Sequence, residues 1–397
     1  VRTKKDLLQI GFEFVDENHA WPRSTDLPST TAMKRTFGSF AAYQSALMKA
    51  YTEKNGCPEW DTRGPAPPRT KTTFARELMA DTFTEAIARV GAFPPTPVPK
   101  IKASKKEVAE MHLVISDVHV GSYVDPALAS NLTPGFNIEQ FRESADTMEE
   151  RVLWFKKAYQ GFECKKLVVN FLGDIVDGEG IFLGQALQND RNVGDQVAEA
   201  AHRFASMFYN WAKVFPEVEV YCVPGNHGRI GRKGELAWRS NFDSMSYRFV
   251  QQILRGQKNV KVIISQSPNL IVKHGGTNWL LHHGDFVKGG AGSYIAYERK
   301  VQSIGAMGNI QLDYSVSGHY HHSASNAGPN ARRYITNGSW PGTNQFSVDV
   351  LNTGNTPAQR MWLFSPSNGF IHSESDIVLG DRVTLTPDKD RVYTDHE

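Results

Sequence analysis

Cysteine is scarce in this chain. Cys57, Cys164 and Cys222 are odd in number and far apart. That excludes a disulfide framework and a zinc-ribbon spacing, and it fits a reducing cytoplasm. Long apolar runs are missing as well. None approaches the roughly 18 residues of a membrane span, and "VRTKKDLLQIGFEF" has no apolar segment followed by a small-residue cleavage site. Neither a membrane protein nor a secretory leader is expected. Strong charge of either sign is also absent, the net charge being +2 over 397 residues. The charge is uneven, however. Residues 1–107 carry 17 Lys/Arg against 12 Asp/Glu, leaving 27 against 30 for the rest. This excess permits nucleic-acid contact, and a solvated surface accounts for it equally. Histidine is sparse at 13 residues, which makes "YSVSGHYHHSAS" (314–325) conspicuous. Three histidines fall within four positions, on the end of a β-type run.

What is present is ordinary globular material, 40% hydrophobic and 22% charged. Two Pro-rich basic stretches, "RGPAPPRTKTT" (63–73) and "FPPTPVPKIKASKK" (93–106), read as extended linkers. Between them Phe74, Leu78, Met79, Phe83, Ile87 and Val90 lie on one helical face, predicting a helix over about 74–91. The division expected is a small helical domain (1–58), a linker with one helix (59–107) and a large domain (108–397).

From residue 108 the rhythm is strand, loop, helix. "MHLVIS" (111–116), "KLVVNFL" (166–172) and "VEVYCVP" (218–224) are short apolar runs. Helices are predicted at 137–159, where Asn137 and Gln140 form a capping-box pattern, at about 192–214 and at 244–256. Strand-type runs follow, with a hairpin on Gly275-Gly276. The order is βαβαβ, then strand-rich, so the fold class is α/β.

Each apolar run ends in polar residues. They are Asp117-Val118-His119, Gly173-Asp174 with Asp177, Gly225-Asn226-His227, His282-His283-Gly284-Asp285, and Gly318-His319-Tyr320-His321. In open α/β sheets the carboxyl ends of strands are where ligands bind. A mixed O/N set without thiolates suits Mn²⁺, Fe or Zn²⁺ rather than Ca²⁺ or a Cys-rich structural zinc. Seven or so donors suit two neighbouring ions sharing a carboxylate. Such a pair can clamp the attacking and leaving oxygens of a phosphoryl centre. His319 and His321 are two apart, so one strand end can serve both.

The ordered set DxH, GDxxD, GNH, H and GHxH resembles the calcineurin-like metallophosphoesterases over about residues 110–365. The resemblance implies a four-layer α/β/β/α sandwich, with two divalent ions at the strand C-termini. Mn²⁺ stands first, and Fe, Zn²⁺ and Ni²⁺ are alternatives. It implies that Asp117, His119 and His321 hold one ion, that Asn226, His283 and His319 hold the other, and that Asp174 bridges them. His283 is preferred to His282 because the family's ligand directly precedes glycine. His227 corresponds to the histidine that acts on the scissile phosphate, and Asp177 to a carboxylate that orients a histidine. His322 has no counterpart.

Departures from the family narrow the activity. Protein phosphatases of this family read GDxVDRG and GNHE, whereas "GDIVDGEG" and "GNHGRI" lack that arginine and that glutamate. Arg229, Arg232 and Lys233 follow a ligand loop, where fixed positive charge suits a phosphate backbone; a solvated basic loop is the alternative. "RRYITNGSWPGTNQFS" (332–347) resembles a segment of metallophosphoesterases encoded by bacteriophages, some of them nucleases. Residues 19–50 are similar to the homing-endonuclease-associated repeat, a small helix-turn-helix-like DNA binder. In that resemblance Pro28, Ser29, Thr30 and Thr31 cap a helix, Lys34 and Arg35 face outward, and Phe37-Gly38-Ser39-Phe40 make the turn. The expectation is a two-metal phosphodiesterase acting on DNA in a (host) cytoplasm, with no membrane partner. A small-nucleotide phosphodiesterase or phosphatase is the second reading. A DNA-binding scaffold with a structural metal site is the third.

Overall fold

The computed structural model describes residues 3–18, 22, 26–27, 30–55, 79, 82–100, 105–126, 135–181, 185–231, 236–286, 294–328, 332–343 and 354–380. The chain divides into two compact units, Val1–Leu78 and Met79–Glu397.

In the first unit, α1 (Lys4–Asn18), α2 (Thr30–Phe37) and α3 (Phe40–Asn55) enclose Leu7, Phe12, Val15, Leu27, Met33, Tyr43 and Leu47. The Tyr43 hydroxyl donates to Leu7 O at 2.9 Å, so the one polar atom of that ring is satisfied inside the core. Between α2 and α3, Gly38 takes a φ of +86° and Ser39 Oγ accepts from Ala42 N at 3.0 Å, capping α3. Lys34 and Arg35 are exposed on α2. Pro28 and Ser29 lie outside the described residues.

The second unit is built on two sheets. In the six-stranded one, β1 (Val108–Ile115), β2 (Glu163–Phe171), β3 (Glu217–Cys222) and β4 (Val260–Ile264) run parallel. The strands β10 (Ala358–Ser365) and β11 (Phe370–Val378) are antiparallel additions at one edge, giving the order β11-β10-β1-β2-β3-β4. The second sheet holds β5 (Asn269–His274), β6 (Thr277–His282), β7 (Tyr314–Ser317), β8 (Ala324–Ala327) and β9 (Arg333–Thr336), in the order β5-β6-β7-β9-β8.

Period-two alternation sorts the strand residues into layers. Met111, Leu113 and Ile115 of β1, with Leu167, Val169 and Phe171 of β2, pack under α5 (Ile138–Ala158), α6 (Val193–Ala212) and α7 (Phe242–Ile253). Their neighbours Val114, Val168 and Leu172 face Trp279, Leu281, Tyr314 and Val316 of the other sheet. That sheet's outer face, with Leu280 and Tyr334, is covered by α8 (Tyr294–Met307). The result is the α/β/β/α sandwich. Asn137 caps α5 by accepting from Glu139 N and Gln140 N. Gln140 Oε1 finds no partner among the described residues, so only half of the expected capping box forms.

The segment read from sequence as a tether behaves differently where it is described. Residues 82–89 form α4, and Phe83 makes edge contacts with Phe242 and Phe249 of α7. Phe93 N donates to Ile253 O at 2.9 Å. Thr96 N donates to Gln257 Oε1, and Gln257 Nε2 donates to Pro94 O. Prolines removed the periodicity that reveals packing in sequence, but side chains of the sandwich satisfy the backbone. Residues 63–73 and 101–104 lie outside the described residues. No described helix is long and apolar enough to cross a membrane.

Candidate metal centre

The site lies where β1, β2, β3, β6 and β7 end, and the chain turns sharply after β1, β2 and β7. Asp117, His119, Asp174, His319 and His321 have φ between 51° and 72°; Asn309 is the other non-glycine residue with positive φ among those described. That region costs a residue with a Cβ about 1–2 kcal/mol. Such strain persists only where surroundings over-determine it, and it clusters at functional sites. Here the surroundings are hydrogen bonds. Asp117 N donates to Gly173 O, Val118 N and His119 N both donate to Asp174 O, and Trp340 N donates to Asp117 O, at 2.8–3.0 Å. The glycines before Asn226 and His319 serve close approach. A Cβ on Gly225 would overlap Asp174, and one on Gly318 would overlap Asp117.

Two groups of donors result. Asp117, His119 and His321 offer ligand atoms within 4.8 Å of one another, and Asp174, His283 and His319 do the same. His119 Nε2 and His321 Nε2 are 3.1 Å apart. His283 Nε2 lies 3.0 Å from Asp174 Oδ2 and 3.2 Å from Asn226 Oδ1. Asp174 also groups with His119 and His227, so its carboxylate stands between the two sets. His319 N donates to both oxygens of Asp117 at 2.8 and 3.0 Å, binding the ends of β1 and β7 together.

The donors fit divalent ions by two tests. Ligating histidines almost always donate their outer N–H to a carboxylate or carbonyl. His119 Nδ1 meets Asp177 Oδ1 at 3.0 Å, and His283 Nδ1 meets Leu172 O at 2.8 Å. The electrostatics call for positive charge as well. Burial should push the His283 proton off, but Asp174 beside it raises this histidine to about 10; His227, pulled up by Asp174 and Asp177 against its own burial, reaches about 9. Burial likewise opposes the Asp174 charge, and His283 and His227 hold that carboxyl well below its usual range. Protons there neutralise carboxylates as cations would.

The pair His282–His283 resolves by face. His282 points with Leu280 toward α8, where Nε2 meets Ser315 Oγ and the Tyr297 hydroxyl at 3.0 Å each, and burial holds it down at about 3. His283 faces the metal centre. His322 is exposed, 3.4 Å from Asn355 Oδ1. Arg229 is half-buried, its Nη1 3.8 Å from Asp285. Arg232 and Lys233 lie outside the described residues.

Sequence reasoning missed the support behind Asp117. Ser116 Oγ donates to Asp117 Oδ2 at 2.5 Å and accepts from Asn337 Nδ2, which also donates to Gln359 Oε1. Asn337 follows "RRYIT" and precedes a glycine, as His283 follows "NWLLH" and precedes Gly284. Gln185, which donates to Asp177 O at 2.7 Å, sits on a short 3₁₀ turn with no periodicity to reveal it.

Glu110, His112 and His274 form a further group within 4.8 Å, near the opposite ends of the strands. Here the outer nitrogens, His112 Nδ1 and His274 Nε2, are buried without a partner among the described residues. An ion would leave two buried N–H groups unmade, at about 1–3 kcal/mol each. The group is better described as two imidazoles turned toward one half-buried carboxylate, at 3.3 and 3.5 Å.

A two-sheet sandwich with paired His/Asp donor sets at its strand ends defines a metal-dependent hydrolase of phosphoesters. The chain belongs to the calcineurin-like phosphoesterase family, whose sequence pattern matches residues 112–323. Among solved structures it is similar to a zinc complex of Vps29 from Entamoeba histolytica, with 12% identity, covering 67% of this chain and 99% of that one, TM-score 0.25. It is also similar to an archaeal phosphodiesterase, with 10% identity, 68% and 99% coverage, TM-score 0.31. Vps29 from Chaetomium thermophilum shows 11% identity, 70% and 100% coverage, TM-score 0.29. No curated protein matches the chain.

Proposed function

We infer that the protein is a two-metal phosphodiesterase that cleaves DNA. The observation that carries the reading is the two adjacent donor sets, Asp117 with His119 and His321 and Asp174 with His283 and His319, with Asp174 grouping also with His119. Asp117, His119 and His321 would hold one ion, and Asn226, His283 and His319 the other. This O/N set suits Mn²⁺, Fe or Zn²⁺, and Mn²⁺ is the ion to test first. When bound, the ions supply Lewis acidity and charge neutralisation at the phosphoryl oxygens.

The chain's own groups do the rest. Asp177 O accepts from His227 Nδ1 at 2.9 Å, which orients the ring, and the imidazolium favoured by Asp174 and Asp177 carries an Nε2 proton to give to the leaving oxygen. Asp177 meanwhile orients His119. Arg229, Arg232 and Lys233 follow the His227 loop and would position a phosphate backbone. DNA is favoured over a small nucleotide by the helical first unit, where adjacent Lys34 and Arg35 are exposed on α2. The absence of an arginine and a glutamate at the protein-phosphatase positions disfavours a phosphoprotein substrate. The test is Mn²⁺-dependent cleavage of labelled single- and double-stranded DNA beside bis-p-nitrophenyl phosphate and its monoester. Hydrolysis of the diester without cleavage of either DNA would favour the small-nucleotide reading.

A further inference from the structure

The loops after β2 and β3 carry Asp174 and Asn226, yet neither belongs to a sheet ladder. Their backbone N–H groups are buried and need acceptors. The acceptors come from the start of α7. Asp243 Oδ2 accepts from Asp174 N at 2.9 Å and Gly225 N at 2.8 Å, while Oδ1 accepts from Ile175 N at 3.0 Å and Val176 N at 3.2 Å. An ionised carboxylate has about four lone-pair sites, and all four are used. Asn241, the N-cap, donates from Nδ2 to Gly225 O at 2.9 Å and accepts from Asp243 N at 2.8 Å. One turn further on, on the same face, the Tyr247 hydroxyl accepts from Gly173 N at 3.1 Å and donates to Val223 O at 3.0 Å.

We propose that Asp243, with Asn241 and Tyr247, is the positioning clamp that sets the spacing of Asp174 and Asn226 and thereby tunes metal binding. The clamp rests on the metal reading of the site. Gly228 gives it an independent support. Where protein phosphatases of the family carry glutamate, a Cβ here would overlap Asn241 Oδ1 and lie 2.9 Å from both Asp243 Cγ and Asp243 N. The glycine leaves room for a carboxylate delivered by the helix rather than by the loop. Burial of that carboxylate is complete, and its place in the first turn of α7 lets the helix dipole favour its charge.

Asp243→Asn keeps the shape but turns an NH₂ toward N–H groups that need an acceptor. The expected result is a Mn²⁺ affinity about 10- to 100-fold weaker by calorimetric titration, the scale for groups that act through ligands. Turnover of bis-p-nitrophenyl phosphate should fall at low Mn²⁺ and recover at high Mn²⁺, with KM for the diester unchanged. A general packing role would not be rescued by metal. A folded Asp243→Asn with wild-type Mn²⁺ affinity and turnover overturns the clamp. If that variant does not fold, Tyr247→Phe decides. It removes one acceptor and one donor from the same loops, so a several-fold weaker Mn²⁺ affinity supports the clamp and wild-type affinity overturns it. Failure of the wild-type protein to take up Mn²⁺ would remove the metal reading itself, a different result from an unchanged variant.

Discussion

His119 and Asp177 stand 58 positions apart in the chain and meet through Nδ1 and Oδ1 at 3.0 Å, both nearly closed to solvent. Burial should raise Asp177, but hydrogen bonds and charge from His119 and His227 hold its carboxyl well below the usual range. With Nδ1 occupied, His119 presents Nε2 toward His321. Asp177→Ala removes the group that fixes this ring. Mn²⁺ affinity should fall about 10- to 100-fold, read by calorimetry on the purified variant. Unchanged affinity would show that the ring is held without the carboxylate.

His227 tests the division between ligand and acid. It groups within 4.8 Å of His119 and Asp174, so proximity alone would allow ligation. Its Nδ1 is held by Asp177 O, the arrangement expected of a proton donor working from Nε2. His227→Asn should keep both metal equivalents and lower kcat by about 10²–10⁴-fold. Metal analysis beside single-turnover rates checks this, and loss of one equivalent would make His227 a ligand.

Burial holds His112 down at about 4. Glu110 faces the ring and pulls the other way, while His274 and Lys166 repel its proton. Between pH 6.5 and pH 4 the unfolded chain therefore binds a proton that the folded chain refuses. Stability contributed by the neutral ring is full above pH 6.5 and is lost as pH falls toward 4. From this residue the loss between pH 7 and pH 5 is about 2 kcal/mol. Urea unfolding at the two pH values, with chelator present, should show a smaller pH difference for His112→Gln than for wild type. Equal differences would remove His112 from the account.

The candidate ligands are legible because buried parallel strands are continuous apolar runs, and each run here stops at a glycine, a carboxylate or a histidine. What is not legible follows from tertiary neighbours rather than from patterns. Asp243 looks in sequence like any acid in a first helical turn, and nothing local says that it reaches two loops 18 to 69 positions away. His282 and His283 separate by strand alternation only once Leu280 is known to face α8 and Leu281 the other sheet. The strands β8 and β11 and the helix α8 go unpredicted. The first is four residues with small side chains, two of them alanine, and β11 alternates too weakly to announce a face.

The last prediction concerns the first unit. Its three helices enclose a core of their own, and 82–100 packs on the sandwich instead. A truncation should therefore end at residue 78 and keep α4. Domains with separate cores usually fold alone, so the metal centre should remain and hydrolysis of bis-p-nitrophenyl phosphate should stay within about twofold. If Lys34, Arg35 and their basic neighbours displace counterions from DNA phosphates, the truncated protein should bind DNA more weakly. The slope of log affinity against log salt should be shallower by about 0.9 for each phosphate that is no longer neutralised. An enzyme for small nucleotides would lose nothing specific to DNA, and a scaffold would hydrolyse nothing in either form. Affinity for a labelled duplex and a labelled single strand, measured across salt for both proteins, distinguishes the three. Superimposable salt curves would end the assignment of residues 1–58 to DNA.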